Sequence, residues 1–399
     1  MAVVAAVAAA GLLPAGAAPA SAGQEAAGDR PAPGHALGRQ AAEGADLELV
    51  AAQTGRSVAD VARERDVADR LGAVQERLAA ERPGLYAGAR LAPGGGATLY
   101  VKGPADDLVR RLVREAGVAI DVVEGRQYSW LELEERSRRL HRAIAGRGYR
   151  NIATSFDEAT GTVEATVTRG PGLPATARDL RAALPAELRG GTRLAVQDAP
   201  VGGDEHAFGG NWVRVSGDNM CTSGFSVTNG SVTGVTTAGH CTGINEIVEP
   251  GVGVHGLTHQ AEHRGQWGDV EWKTSAHIEP AQFYASASDL RQVNSVEPRA
   301  NLTVGEAICV YGRSSNSRNC GTTVFRTSVS CTVNGFFNDR LVAMSSSVTI
   351  GGDSGGGWTF GTRAYGSTKG RCTYDGSSRN VFSVADLYDE ALGVSVITQ

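Results

Sequence analysis

Six cysteines, all of them after residue 220, constrain the fold of this 399-residue chain more than any other feature. An even number confined to one half is typical of a disulfide framework formed outside the cytoplasm. The chain has no C-x-x-C pair, which argues against a zinc ribbon. The sequence alone leaves all fifteen pairings of six cysteines open. The positions are Cys221, Cys241, Cys309, Cys320, Cys331 and Cys372.

The N-terminal residues indicate the same compartment. Residues 1–22 are apolar and end in Ala20-Ser21-Ala22, the small-residue pattern of a signal-peptide cleavage site, although no Lys or Arg precedes the apolar run. A disordered Ala/Gly tail is the alternative. No later stretch reaches the ~18 apolar residues of a membrane span. We therefore expect a secreted, extracellular protein that does not associate with membranes.

Residues 23–205 differ in character from the rest. The Ala/Gly/Pro-rich stretch 23–56 predicts an irregular segment. From about 57 to 190 the chain is Arg/Glu-rich and helix-prone, which predicts a small α+β module with its core at about 80–190. One helix ends at Gly117, and Ser129 is a plausible N-cap of another. We find no pairing of a nucleophile with a base in this half.

Residues 206–399 carry short β-type runs between turn residues, such as WVRVSG, GFSVTNG and LVAMSSSVTIGG. This spacing predicts an all-β sandwich or barrel. The Pro- and Gly-containing stretch around 196–210 predicts an exposed linker between the halves. The net charge of −5 gives no basic footprint for nucleic acid.

The stretch GGDSGGGW, residues 351–358, sets Ser354 among glycines. Glycine permits backbone conformations in which several N–H groups converge on an anion. The stretch fits a phosphate loop, a flexible linker or the seat of a nucleophile. The phosphate interpretation is weak because no Gly-Lys-Ser/Thr and no helix follow.

A nucleophilic serine needs a base and an orienting carboxylate. His240 ends the β-type run GVTTAGH, which places it at the rim of a sheet. Asp269 lies in QWGDVEW, where Trp267 and Trp272 would shield its carboxylate from water. Each residue alone would be read as an ordinary strand cap or turn residue, so the prediction depends on the three together.

TTAGHC followed by GDSGG resembles the chymotrypsin-like serine peptidases, specifically the secreted bacterial streptogrisin and α-lytic protease type. CTSGFSV and the C-terminal LYDEALGVSVITQ are similar to further segments of that family. LYVKGPADDLVRRLVREAGVAIDVVEG resembles its α-lytic-type pro-domain. The resemblance covers residues 80–399.

The resemblance implies an all-β catalytic domain of two antiparallel six-stranded β-barrels, preceded by an α+β pro-domain. It implies a nucleophile (Ser354), a general base (His240) and an orienter (Asp269). The N–H groups of Gly352 and Ser354 would form the oxyanion hole, with Asp353 in a structural role.

The resemblance also suggests three disulfides, Cys221–Cys241, Cys309–Cys320 and Cys331–Cys372. Cys331 departs from the family, whose cysteine usually lies only a few residues before GDSGG. AYGSTKGRC is similar to the substrate-binding strand, which makes Ser367, Thr368 and Lys369 candidates for substrate contact. A lysine pointing into the specificity pocket would favour acidic substrate side chains. A lysine on the rim of the cleft is the alternative.

His255, His259 and His263 are spaced by four, so a helix would gather them into a metal site. The Gly-rich β context favours a surface loop instead, and we expect no metal or organic cofactor. The chain is interpreted as a secreted serine endopeptidase zymogen, a monomeric hydrolase. Its partners would be polypeptide substrates and its own pro-domain, as folding assistant and inhibitor. The alternative is a catalytically silent extracellular binding module with the same fold.

Overall fold

The computed structural model describes residues 36–92, 94–204, 211–249, 253–277 and 279–399. The predicted signal peptide, residues 1–22, lies outside the described residues. So does the residue at which we expect the catalytic domain to begin, residue 206.

The N-terminal half consists of helices packed on two small sheets. One sheet has the order β1-β2-β3, and strands β4-β5-β6 form a second group. The elements are α1 (Arg39–Thr54), α2 (Val58–Glu81), β1 (Tyr86–Ala92), β2 (Gly96–Val101), α3 (Asp107–Ala116), β3 (Ile120–Val123), α4 (Trp130–Ala145), β4 (Ile152–Asp157), β5 (Thr162–Thr168), α5 (Ala177–Ala183) and β6 (Thr192–Gln197).

Local signals set several of these helix ends. Asp106 caps α3, whose C-cap Gly117 has a left-handed φ of 66°. At the start of α4, Ser129 and Glu132 form a reciprocal capping box, which satisfies two N–H groups that the helix itself leaves free. Leu71 and Leu99 belong to the core between α2 and the first sheet, and Leu140 and Phe156 to the core between α4 and the second. The α+β prediction is confirmed.

The prediction of an irregular segment over 23–56 is wrong for its second part, because α1 spans Arg39–Thr54. This helix has no acidic residue in its first turn and no side-chain cap. Its stability comes from the other half of the chain. Val50 and Ala51 pack in one core with Ile308, Trp358 and Phe360.

The C-terminal half begins with the first barrel, built from a four-stranded sheet (β13-β12-β8-β9) and a five-stranded one that ends with the C-terminal strand (β14-β15-β11-β10-β26). These strands are β8 (Trp212–Val215), β9 (Asp218–Thr222), β10 (Ser226–Thr228), β11 (Thr233–Thr237), β12 (Glu246–Glu249), β13 (Gly253–Gly256), β14 (Thr258–Gly265), β15 (Gly268–Thr274) and β26 (Ser395–Val396).

The second barrel has seven strands in the order β20-β19-β23-β24-β25-β22-β21. The all-β prediction is confirmed, and among the described residues the two units have nine and seven strands where six each were expected. Its strands are β19 (Cys309–Gly312), β20 (Ser317–Asn319), β21 (Val324–Val333), β22 (Phe336–Met344), β23 (Gly357–Phe360), β24 (Arg363–Tyr374) and β25 (Ser377–Val384). The remaining elements are β7 (Gly202–Asp204), β16 (Gln282–Tyr284), β17 (Leu290–Gln292), β18 (Ser295–Val296) and α6 (Tyr388–Leu392).

Two strand pairings join the two halves, in addition to single backbone hydrogen bonds such as that from the Leu91 N–H to the Val304 carbonyl. Strand β4 pairs with β21 opposite Ser330–Thr332, so the second group of N-terminal strands continues the second barrel's sheet. Strand β7 pairs with β24 opposite Gly370–Cys372. None of the described helices is both long and apolar enough to cross a membrane.

The cysteines are joined as the resemblance suggested. The structure has the disulfides Cys221–Cys241, Cys309–Cys320 and Cys331–Cys372. Cys241 directly follows His240, so the first disulfide fixes the turn that carries the imidazole to β9. The third joins β21 to β24, two strands of the same barrel.

Candidate active site

His240, Asp269 and Ser354 meet between the two barrels. The His240 Nδ1 lies 2.8 Å from Asp269 Oδ2, and its Nε2 lies 2.9 Å from Ser354 Oγ. The Asp269 carboxylate accepts from Nδ1, so Nε2 carries the lone pair that faces the serine hydroxyl. The three residues that the sequence singled out are therefore brought together in the arrangement that activates a hydroxyl.

The backbone around His240 explains this close approach. His240 follows strand β11 in a turn, and its N–H also donates to Asp269 Oδ1 at 2.9 Å. A Cβ on Gly239 would lie 2.9 Å from that same oxygen. Glycine is needed here because any side chain would separate the turn from the carboxylate.

Asp269 is fully buried at the start of β15. Burial raises the pKa of this carboxyl, but the neighbouring His240, and after it Lys369 and Arg264, lower the pKa to below the ordinary value. Asp269 is therefore ionised at neutral pH and can stabilise an imidazolium.

Glycines shape the loop that carries the serine. Gly352 has a φ of 106° and Gly355 a φ of 86°, both in the region that side chains disfavour. A Cβ on Gly355 would lie 2.2 Å from the Thr222 carbonyl oxygen. These positions accept only glycine without strain. The oxyanion role of the Gly352 and Ser354 N–H groups stays a prediction.

Asp353 lies beside Ser354 and holds the loop that carries it. Its buried carboxylate accepts from the N–H groups of Ser314 and Ser315, each at 3.1 Å, and from that of Ile350 at 3.0 Å. Burial raises the pKa of Asp353, while these hydrogen bonds act in the opposite direction. Its contacts are those of a structural residue, as the sequence indicated.

The candidate substrate-binding side chains are buried. The Ser367 hydroxyl bonds to that of Tyr388, and the Thr368 hydroxyl accepts from Trp358 Nε1 at 3.0 Å and donates to the Gly356 carbonyl. Lys369 is 1% exposed and contributes to the low pKa of Asp269. Both hydroxyls therefore have partners inside the protein, and the substrate-binding role of the three residues stays a prediction.

The histidine-rich stretch forms no helix. His259 and His263 lie on strand β14, and His255 lies on β13. The stretch is therefore neither the helix that a metal site would need nor the surface loop that we favoured. His263 Nε2 accepts from the Trp267 N–H, and His259 lies 3.3 Å from Glu271. His255 Nδ1 lies 3.1 Å from His277 Nε2, so the three imidazoles have separate partners.

Two residues that support the site have no sequence signal. The Ser383 hydroxyl accepts from the Asp269 N–H at 2.9 Å and donates to the Asp269 carbonyl at 3.2 Å. The Thr222 N–H donates to the Ser354 carbonyl at 2.8 Å, and its hydroxyl to the Gly352 carbonyl at 3.1 Å. Ser383 thus holds the backbone of Asp269, and Thr222 holds the loop that carries Ser354.

A two-barrel β-domain with a histidine between a buried aspartate and the serine of GDSGG is the hallmark of chymotrypsin-like serine peptidases. No family model matches the chain. Over 203 residues it is 29% identical to streptogrisin-C of Streptomyces griseus, a match that covers 48% of this chain and 41% of that relative. The chain is therefore similar to a bacterial serine peptidase of the streptogrisin type, and the match spans less than half of that relative's length.

Solved structures of similar proteins each match about half of the chain. Thermobifida fusca protease A is 26% identical, with 48% of this chain and 98% of that one covered and a TM-score of 0.39. Cellulomonas bogoriensis chymotrypsin is 24% identical, with 48% and 99% covered and a TM-score of 0.38. An α-lytic protease homologue is 18% identical, with 47% and 97% covered and a TM-score of 0.38.

Proposed function

We propose that this chain is the zymogen of a secreted serine endopeptidase that hydrolyses peptide bonds through an acyl-enzyme. The observation that carries the proposal is the single imidazole held between Asp269 Oδ2 and Ser354 Oγ, at 2.8 and 2.9 Å. Polypeptides are the substrate class that the similarity to streptogrisin-C favours.

In the first half of the reaction, Ser354 Oγ attacks the scissile carbonyl carbon while His240 Nε2 takes the hydroxyl proton. Asp269 holds the imidazole in the required tautomer and stabilises its positive charge. The Gly352 and Ser354 N–H groups stabilise the oxyanion. His240 then donates its proton to the leaving amine, and water releases the acyl group by the same steps.

Residues 23–205 are proposed to be a pro-domain that assists folding and keeps the enzyme inactive, and residues 206–399 the protease. Two observations support the inhibitory role. Ser354 is completely buried in the full-length chain. Strand β7, at the end of the N-terminal half, pairs with β24, whose Thr368 carbonyl accepts from the Gly355 N–H next to the serine. We expect removal of this half to free the edge of β24 at Gly370–Cys372, which β7 occupies.

A fluorophosphonate probe tests the proposal, because it reacts covalently only with an activated serine. We expect the processed protein to be labelled on the peptide that contains Ser354, and the full-length chain to be labelled far more slowly. Ser354→Ala should abolish labelling, and Ser377→Ala, at an exposed serine of the same barrel, should not change it. Processed protein that is not labelled would refute the catalytic proposal and favour the silent binding module.

A further inference from the structure

A second buried carboxylate, outside the triad, lies among donors from the other half of the chain. Asp46, on helix α1, has no exposed surface. Arg318 makes a bidentate contact with its carboxylate, with Nε 2.8 Å from Oδ1 and Nη2 2.7 Å from Oδ2. Arg291 Nη1 and the Gly361 N–H also approach Oδ2, at 2.9 and 2.7 Å. Four donors therefore converge on one carboxylate.

The donors are positioned by their own half of the chain. Arg291 lies on β17 and is held by Asp289, which accepts from its Nε at 2.9 Å and its Nη2 at 2.7 Å. Arg318 lies on β20 and also donates to the Thr359 hydroxyl at 3.0 Å. Its Nη1 has no hydrogen-bond partner among the described residues. Both arginines therefore have partners in their own half besides Asp46, although Arg291 Nη1 also donates to the Ala42 carbonyl of α1 at 3.2 Å.

The charges of Arg291 and Arg318 allow the group of donors around Asp46 to bind an anion. With Asp46 present, two guanidinium groups face two carboxylates, those of Asp46 and Asp289. Without Asp46, one positive charge of this buried group is left uncompensated. Such a charge is strongly destabilising unless water or another anion reaches it.

The contacts of α1 cover an edge of the sheet. Strand β20 is the last strand of the second barrel's sheet. Gln53 replaces the missing neighbouring strand, because its side chain donates to the Arg318 carbonyl at 3.1 Å and accepts from the Cys320 N–H at 2.6 Å. The helix therefore covers both the arginine pair and the open edge beside it.

We propose that Arg291, Arg318 and the Gly361 N–H form a carboxylate-binding site of the catalytic half, in which Asp46 is the built-in ligand. The side-on geometry at Arg318 selects a planar, two-oxygen anion over a spherical one. When α1 detaches, the site takes the carboxylate of another polypeptide, an acidic side chain or a C-terminus. The detachment rests on the proposed zymogen function, whereas the binding site itself does not.

Chemical rescue in the full-length chain tests the site, with Ser354→Ala present throughout to prevent self-cleavage. Asp46→Ala should lower the thermal unfolding midpoint by about 5–10 °C, since it removes one partner of a buried ion group. Sodium acetate should restore a saturable part of that loss. Sodium chloride at equal ionic strength should not, and acetate should leave the parent protein unchanged. Asp46→Ala combined with Arg318→Gln should lose the rescue.

Acetate that shifts the parent and Asp46→Ala equally, or that fails to shift Asp46→Ala, would overturn the proposal and leave only an internal ion pair. If Asp46→Ala folds too poorly for melting, the refolding yield in acetate against chloride gives the same comparison. None of these measurements needs peptidase activity. Failure of fluorophosphonate labelling and failure of acetate rescue therefore count against different proposals.

Discussion

Acid should weaken the folded full-length chain through one buried histidine, His141. This residue lies on α4 and is 1% exposed. Its Nδ1 is 3.1 Å from the Thr154 hydroxyl, and its Nε2 is 2.7 Å from that of Thr332 in the other half. Burial lowers the pKa of His141 from 6.5 to about 3. The folded chain therefore keeps this imidazole neutral, while the unfolded chain protonates it.

The sign and size of the effect follow from proton linkage. Between pH 6.5 and 3 the unfolded state binds one more proton at this site than the folded state, so stability is lost as the pH falls. At pH 4.5 the unfolded pKa lies about 2 units above the pH, which corresponds to about 3 kcal/mol lost relative to pH 7.5. The loss would show as a fall in the free energy of unfolding.

The assay is urea unfolding at pH 7.5 and pH 4.5, at constant ionic strength, on Ser354→Ala as the parent. His141→Gln, which cannot titrate, should lose about 3 kcal/mol less than the parent between the two pH values. His277→Gln, at an exposed histidine, should behave like the parent. Other titrating groups cancel in this comparison. Equal acid losses in the parent and His141→Gln would refute the assignment of a neutral, buried imidazole.

Three further results are expected. Ser354→Ala should lower kcat for a peptide substrate by about 10⁴-fold or more without loss of the folded state, and near-normal turnover would disprove the nucleophile. Asp269→Asn should lower kcat by about 10⁴-fold with little change in KM, because the imidazole loses the carboxylate that fixes its tautomer. A KM raised by a similar factor would instead indicate a defect in substrate binding. Gly355→Ala should destabilise the protein by more than about 2 kcal/mol, because it combines a φ of 86° with a contact of 2.2 Å, and an unchanged unfolding midpoint would show that the loop relaxes.

The predictions that held rest on signals that are local in sequence. The capping box of Ser129 and Glu132 lies within three residues, so the start of α4 could be placed without knowledge of its neighbours. The triad candidates were found from two short motifs and one aspartate between tryptophans. The structure then adds the distances that join them, and their catalytic roles stay predictions.

The features that could not be predicted from the sequence depend on contacts between residues far apart in the chain. Helix α1 depends on Asp46 and Gln53, whose partners Arg318 and Cys320 lie more than 260 residues away. Ser383 supports Asp269 from 114 residues away through an ordinary serine hydroxyl. The burial of Ser367, Thr368 and Lys369 also depends on contacts that are distant in sequence. Strand β24 shifts its register between Thr368 and Gly370, so simple alternation of faces does not hold there.

The pairing of β4 with β21 has a consequence for any separated catalytic half. Ser330–Thr332 of β21 would lose their partner strand and present unpaired backbone groups at an open edge. Open edges act as templates for a strand from another chain. We therefore expect freshly separated catalytic domains to associate edge to edge at high concentration. An added fragment that contains β4 and β5 should compete for the edge and keep them apart.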